Sequence, residues 1–365
     1  MGSKMIKLSE DQQLAVDMVM DWRATWEGSG RQEFKIGGLA GSGKSTIISV
    51  IGETLSRTTV MAPTGKAVES LARKGIKAST IHSMIYNSYK TRSGYAYKRK
   101  RSVEGATFII DEASMVSSRE YQNLLAFNKP ILWVGDHGQL EPIGENPMLM
   151  RHPDIKLEKI HRQQAGNPIL KLAMAFRENR EEQVPQDWRD PEGRLIVTSR
   201  DRFEELKGDR QIIVSKNATR VTMNASARSG MRTGMGNPQP GEPIICLQNN
   251  YRYQVFNGQQ AVIESVSSRD EGIIEIEMRL DDGRIIMAPC AAECFGAVKV
   301  ERNEIEKDIL MFDYAYALTA HKTQGSEFDH AIVYEERLAA VDMCRLRYTA
   351  VTRARQSLVY CWKKP

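Results

Sequence analysis

Gly38-Leu39-Ala40-Gly41-Ser42-Gly43-Lys44-Ser45 sets glycines, a lysine and a hydroxyl at the spacing G-x-x-x-x-G-K-[ST]. A stretch of this kind is built to hold a polyphosphate. Glycines let the backbone wrap close to the anion, and the N–H groups that open a following helix point at it. Gly38, Ala40, Gly41, Ser42, Gly43, Lys44, Ser45 and Thr46 are therefore the expected ATP-binding segment, with Lys44 on the β- and γ-phosphates and Ser45 on Mg2+. A second group supplies hydrolytic chemistry. Asp111-Glu112 ends the apolar run Phe108-Ile109-Ile110; Asp111 suits the Mg2+ ion and Glu112 the general base that polarises water. Gln139, in Gly135-Asp136-His137-Gly138-Gln139-Leu140, is placed to sense the γ-phosphate or to position that water.

These groups need a scaffold, and the flanking pattern predicts one. Phe34-Lys35-Ile36-Gly37 reads as the end of a strand and Thr46 to Ile51 as the first turns of a helix. Further apolar runs, Thr58 to Ala62, Ala106 to Ile110 and Pro130 to Val134, alternate with helical segments, as in a parallel sheet covered on both faces. Ligands of such sheets bind at the carboxyl ends of the strands, where the polar clusters fall. Upstream, Ser9 caps a helix with an apolar face of Leu14, Val16, Val19 and Met20, and Trp26 to Gly30 reads as a surface loop. Gln12 in that helix carries an amide that can both donate to and accept from an adenine edge. Between two strands, Lys90 to Arg101 holds six basic residues and no acid, interleaved with tyrosines about the turn Ser93-Gly94. Two arms about that turn predict a β-hairpin over 88–104, with Tyr95 and Tyr97 for bases and Lys98 and Arg99 for phosphates.

Length and composition bound the reading. At 365 residues the chain calls for two or three domains; 41% hydrophobic and 27% charged residues describe a globular protein. No apolar run approaches the roughly 20 residues that span a bilayer, so no membrane association is expected. Met1-Gly2-Ser3-Lys4 ahead of Met5 reads as an expression scar, and no signal peptide is visible. Five scattered cysteines fit a reducing cytoplasm, and the pair Cys290 and Cys294 lacks the partners of a zinc site. A formal charge of +5 does not by itself argue for nucleic acid.

The first α/β domain is expected over 5–150 and the second over 151–238 and 307–365. Leu157 to Gln163 carries Arg162 within reach of a nucleotide, Glu178 to Arg194 reads as a surface loop, and Gln211 to Ser215 as a sheet strand before Lys216-Asn217. From 239 to 306 the pattern changes to closely spaced short strands, Pro243 to Leu247, Gln259 to Val266, Ile273 to Leu280 and Arg284 to Met287. Asp281-Asp282-Gly283 joins the last two. That predicts a small antiparallel barrel inserted in the second domain.

Taken together these residues resemble superfamily 1 helicases, in the RecD-like and Dda-like group that moves 5′ to 3′. Gln12 matches the adenine-reading motif and Gly38 to Ser45 the phosphate loop. Ala62-Pro63-Thr64-Gly65-Lys66-Ala67 and Ser79-Thr80-Ile81-His82-Ser83 match two early DNA-contacting motifs. Asp111 to Ser114 and Gly135 to Pro142 match the hydrolysis and coupling motifs, Leu318 to Glu327 and Tyr348 to Arg355 the last two. The resemblance implies two RecA-like domains, the hairpin as a strand-separating pin and the insertion as a Src-homology-3-like barrel clamped over it. It implies Arg353 as arginine finger and Arg162 as its partner, both reaching the γ-phosphate across a cleft, with Gln324, Gly325 and Glu327 also at ATP. For DNA it implies Pro63, Thr64, Thr80, His82, Asn217, Asn257, His321 and Thr323. The implied protein is a monomeric ATP- and Mg2+-dependent DNA helicase on single-stranded DNA and forks, in replication, repair or recombination. A single-strand-binding or replication protein is the implied partner, in a bacterial or phage-infected cell. Two other readings remain open here: a DNA-stimulated ATPase that displaces proteins with little strand separation, and a nucleotide-switched DNA-binding module.

Overall fold

The computed structural model describes residues 8–91, 94–140, 148–159, 166–229, 238–250, 252–270, 272–300, 305, 308–339 and 341–362. The chain divides into two compact units, 1–87 with 97–171 and 88–96 with 172–365. In chain order the first unit holds α1 (Glu10–Ser29), β1 (Glu33–Gly38), α2 (Lys44–Thr54), β2 (Thr58–Ala62), α3 (Gly65–Arg73), β3 (Ser79–Thr80) and α4 (Ile81–Ile85). The two-stranded ladder of β4 (Tyr86–Thr91) and β5 (Gly94–Arg99) follows, its residues 88–96 counted with the second unit; the first unit then continues with β6 (Thr107–Ile110), α5 (Ser118–Leu125), β7 (Ile131–Gly135) and β8 (Ile155–Leu157).

Six of these strands form one parallel sheet in the order β3-β2-β6-β7-β1-β8. Side-chain alternation sorts its residues onto two faces. Phe34, Ile36, Ile109, Leu132 and Val134 pack with Val16, Val19 and Trp22 of α1 and Ile47, Ile48 and Ile51 of α2. Phe108, Ile110, Ile131 and Trp133 pack on the opposite side with Leu124 of α5 and Ile81 and Ile85 of α4. Each fully buried side chain of this kind contributes about 1.5–3 kcal/mol. The sheet is thus held from both faces, and β1, β6 and β7 deliver their carboxyl ends as fixed points.

Three expectations shift. α1 runs through Trp26 to Ser29 and stops at Gly30 in the left-handed conformation, φ 67°, so 26–29 is helix rather than loop. Its buried positions are Gln12, Ala15, Val16, Val19 and Trp22, whereas Leu14 is 55% exposed. The first sheet also continues past residue 150, because β8 pairs with Gly37 and Gly38 at its edge. The division falls at 171/172 instead of 150/151.

α6 (Pro168–Arg177) runs across the division at 171/172, and the second unit then holds β9 (Trp188–Arg189), β10 (Leu195–Ser199), α7 (Phe203–Leu206), β11 (Gln211–Val214) and α8 (Asn217–Ser229). After the inserted strands β12 (Pro243–Cys246), β13 (Gln260–Asp270), β14 (Ile273–Leu280), β15 (Ile285–Ala291) and β16 (Phe312–Tyr314) come β17 (Ala317–Thr319), β18 (Phe328–Tyr334), α9 (Met343–Val351) and β19 (Ala354–Trp362). One sheet runs β17-β11-β18-β19-β10-β9, parallel except for the edge strand β9, which lies in the expected loop 178–194. The other, β15-β14-β13-β12-β16, is antiparallel. A bridge between Cys290 and Leu310 joins its two edges. The antiparallel sheet therefore extends beyond 306, since Phe312–Tyr314 pairs with Pro243–Cys246 before the chain returns to the parallel sheet at Ala317.

α8 ties the two sheets of this unit together. Arg220, Asn224 and Arg228 recur every fourth residue and are buried, which puts them on one face of the helix. Arg220 pairs with Asp313 and donates to the Ala297 carbonyl at 2.8 Å; Arg228 Nε donates to Glu242 at 2.6 Å. Asn224 donates to the Tyr314 and Ala317 carbonyls and accepts from the Ala317 N–H. Among the described residues, no helix is long and apolar enough to cross a membrane.

Candidate active site

The phosphate loop leaves β1 and enters α2 with Gly41 and Gly43 at φ 78° and 83°, values that favour glycine. Gly38 is required for a different reason. A Cβ there would stand 2.6 Å from Ser42 Oγ and 2.7 Å from Lys44 Cγ, so the first glycine makes room for the lysine. The Lys44 ammonium folds back on the loop, donating to the Gly38 carbonyl at 2.8 Å and the Leu39 carbonyl at 3.1 Å, with Asp136 at 4.0 Å. Gln12 buttresses the loop. Its amide Nε2 donates to the Ser42 carbonyl at 3.0 Å, while Oε1 accepts from the Ser9 N–H at 3.1 Å in a capping box. Both ends of the amide are engaged with the backbone, so in this structure Gln12 supports the loop.

The carboxylates gather where β6 and β7 end. Asp111 is buried; desolvation pushes its pKa up, opposed by the charge of Lys44, the Glu112 N–H and the charge of Lys74. Glu112 sits in the left-handed region at φ 50°, a conformation costly for a side-chain-bearing residue, as it enters the short 3₁₀ turn Ala113–Met115. Asp136, 1% exposed, accepts from the Gly138 N–H at 2.8 Å and from Gln139 Nε2 at 3.3 Å. Gln139 is buried beside it. Asp136 thus links the lysine of one strand end to the glutamine of the next. The sequence marked it only as the end of an apolar run.

A Mg2+ ion would find hard oxygen donors in the Ser45 hydroxyl and the Asp111 carboxylate, the ligand type this ion takes. One of these donors already faces a cation: Lys74 Nζ donates to Ser45 Oγ at 2.9 Å.

The residues expected at DNA in this unit divide by exposure. Thr64 caps α3, accepting from the Ala67 N–H at 3.2 Å, next to Pro63. Thr80 is 8% exposed and engages its hydroxyl with Ser83, as acceptor from the N–H and donor to Oγ, which caps α4. His82, Tyr86 and Tyr97 form an aromatic group, the His82 ring 4.5 Å from Tyr86 and 4.7 Å from Tyr97. Tyr97 is therefore packed at the foot of the β4–β5 ladder. Lys98 and Arg99 are exposed, and Arg99 donates to the Ala126 carbonyl at 3.2 Å. The Tyr95 side chain and Arg162 lie outside the described residues.

Burial, and then the charge of Arg119, lower the His82 pKa to about 4. The neutral ring is the folded form, so its contribution is complete above the unfolded value near 6.5 and is lost as pH falls toward 4. His82→Phe should therefore lose about 1–2 kcal/mol less stability than the wild type between pH 7.5 and 4.5 in urea unfolding, the full shift being discounted for partial exposure. Equal acid losses in the two chains would remove His82 from this role.

In the second unit, Arg353 is 4% exposed and turned inward. Nε donates to the Thr349 carbonyl at 3.0 Å, Nη1 to the carbonyls of Ser326 at 3.2 Å and Thr323 at 3.4 Å, and Nη2 to Thr352 Oγ1 at 3.0 Å. It holds the turn that carries Gln324 and Gly325, the latter at φ 74°. Thr323 is fully buried in this structure and donates to the Ala320 carbonyl at 2.8 Å, so it supports the turn. His321 is half-buried, and burial lowers its pKa. Glu327, Asn217 and Asn257 are exposed. Asn217 accepts from Arg220 Nε at 3.4 Å, and the Asn257 N–H donates to Asn249 at 2.7 Å.

The chain is similar to known proteins. The profile of the AAA domain matches residues 7–199, more than half of the chain. The profile of the UvrD-like helicase C-terminal domain matches 314–360. The chain belongs to the AAA-domain family, and its second profile match and its relatives are of the superfamily 1B, RecD-like helicase kind. The ATP-dependent RecD2 DNA helicase of Deinococcus radiodurans is 27% identical to this helicase-family chain, over 95% of the chain and 48% of that protein. The chain thus spans about half the length of that relative. A structure of Pif1 helicases at forked double-stranded DNA has a TM-score of 0.61 at 19% identity, covering 99% of this chain and 93% of that one. Bacteroides Pif1 bound to single-stranded DNA gives 0.57 at 18%, covering 99% and 93%. These structures share the α/β fold with its RecA-like parallel core.

Proposed function

We propose that this chain is an ATP-driven DNA helicase that moves 5′ to 3′ on single-stranded DNA and separates duplex ahead of it. The observation that carries the reading is the meeting of Lys44, Asp111, Asp136 and Gln139 at adjoining strand ends of a helicase-family fold. Lys44 exchanges its carbonyl partners for phosphate oxygens, and Glu112 takes the proton of the attacking water. Gln139, held by Asp136, orients that water. When bound to Ser45 and Asp111, Mg2+ supplies charge against the phosphates. Arg162 and Arg353 meet the γ-phosphate, with Gln324, Gly325 and Glu327 nearby; Arg353 must first leave its carbonyls. DNA runs past Pro63, Thr64, His82, Asn217, Asn257 and His321. Tyr95, Lys98 and Arg99 on the β4–β5 ladder act as the pin, and the antiparallel sheet as a Src-homology-3-like clamp. The protein works as a monomer, with a single-strand-binding or replication protein as partner.

A labelled duplex with either a 5′ or a 3′ single-stranded tail tests the reading. ATP-dependent unwinding of the 5′-tailed substrate alone is expected. Unwinding of only the 3′-tailed one reverses the polarity. ATPase stimulated by single-stranded DNA without strand separation would make the chain a translocase.

A further inference from the structure

Lys74 follows α3 on the chain surface, yet its ammonium reaches the phosphate loop of a different element. It donates to Ser45 Oγ at 2.9 Å, and its charge acts on the Asp111 carboxylate together with that of Lys44. Ser45 and Asp111 are the two groups to which the metal reading assigns the divalent cation, and this inference rests on that reading. A chain cation therefore already stands where an external one is to bind.

Two consequences follow from charge alone. An ammonium within hydrogen-bond distance of a metal ligand repels a divalent ion approaching the same oxygen, and it attracts a phosphate arriving without metal. The lysine can also withdraw. Its long flexible stem carries a mobile point charge. Lys74 is exposed, and Gly75 beyond it, at φ 79°, has open space around its Cβ position.

We propose that Lys74 is a built-in counter-cation of the metal site: it holds the Ser45 hydroxyl and gives it up when a divalent cation arrives. Lys74 acts through Ser45 and is a positioning residue. It makes metal binding a competition between two cations and favours the binding of metal-free nucleotide.

The test measures binding instead of turnover. Mn2+ is titrated into the full chain with saturating ADP and the free ion is followed by electron paramagnetic resonance; ADP affinity is measured separately with EDTA present. Lys74→Met should bind Mn2+ about fivefold more tightly and metal-free ADP about twofold more weakly, as loss of one partly screened charge predicts. Lys74→Arg, which keeps the charge, should stay nearer the wild type in both. Lys74→Gln repeats the loss of charge should the Met variant fold poorly. Unchanged or weaker Mn2+ binding in both neutral variants, with normal uptake by the wild type, overturns the role of Lys74 and leaves the metal site intact. Failure of the wild type to take up Mn2+ with ADP overturns the metal reading and this one with it.

Discussion

Lys44→Ala is expected to lower ATP turnover by about a thousandfold or more while leaving single-stranded DNA binding within about twofold, because phosphoryl transfer depends on positioned charge at the phosphates. In the structure the ammonium is satisfied by the Gly38 and Leu39 carbonyls and stands 4.0 Å from Asp136. In the proposed function those carbonyls are the partners a triphosphate replaces. Removing the lysine leaves Asp136 and Asp111, both buried, with less positive charge facing them, so the site becomes hostile to phosphate rather than merely less attractive. Stability should change little, since the lysine opens α2 beside the loop and lies outside the apolar core, and Gly38 keeps its room whether or not the side chain fills it. Phosphate release and a filter-binding titration with single-stranded DNA check both halves. A variant with wild-type turnover would dismiss the loop as the hydrolytic site; one that also lost DNA binding would show that the lysine holds more than nucleotide.

The residues that proved legible in the sequence are those whose role is written in local backbone geometry. Gly41 and Gly43 need left-handed φ, Gly38 needs an absent Cβ, and Lys44 and Ser45 open a helix; neighbours in the chain fix all of them. Asp111 and Asp136 end buried runs, which marks strand termini and hence the ligand-facing edge of a parallel sheet. What the residue letters conceal is direction. Thr80 and Thr323 sit inside recognisable motifs, yet their hydroxyls close turns and helices, because a buried hydroxyl must find a partner and the adjacent backbone is nearest. Leu14 satisfies a helical period on paper, but the docked face of α1 is set by Ala15, Val19 and Trp22 against the sheet. Contacts between segments distant in sequence left no periodic trace at all. Lys74 against Ser45, Arg228 against Glu242 and Phe312–Tyr314 pairing back to Pro243–Cys246 each depend on how the chain returns.

Arg353 carries the second large effect, and two separate consequences are expected of it. Its guanidinium spreads donors over the carbonyls of Thr323, Ser326 and Thr349 and the hydroxyl of Thr352 while almost fully buried. Lysine brings one ammonium to one point and cannot span that set. Arg353→Lys should therefore leave buried carbonyls short of donors and lower the stability of the second unit by about 2–4 kcal/mol. If Arg353 also meets the γ-phosphate, turnover should fall by about a thousandfold, the scale associated with an arginine finger. The two effects separate by temperature and measurement. Urea unfolding reports the anchoring; single-turnover hydrolysis, at a temperature where the variant is fully folded, reports the chemistry. Stability within about 0.5 kcal/mol of wild type would show that the buried hydrogen bonds contribute nothing net, as a surface substitution does. Normal hydrolysis in a folded but weakened variant would make Arg353 a fixed support of the Thr323–Ser326 turn and leave the γ-phosphate to another cation. Loss of both would mean that the arginine exchanges one set of oxygens for another. In that case its release from three carbonyls opposes nucleotide engagement, and the turn that bears Gln324 and Gly325 loosens as the phosphate is gripped.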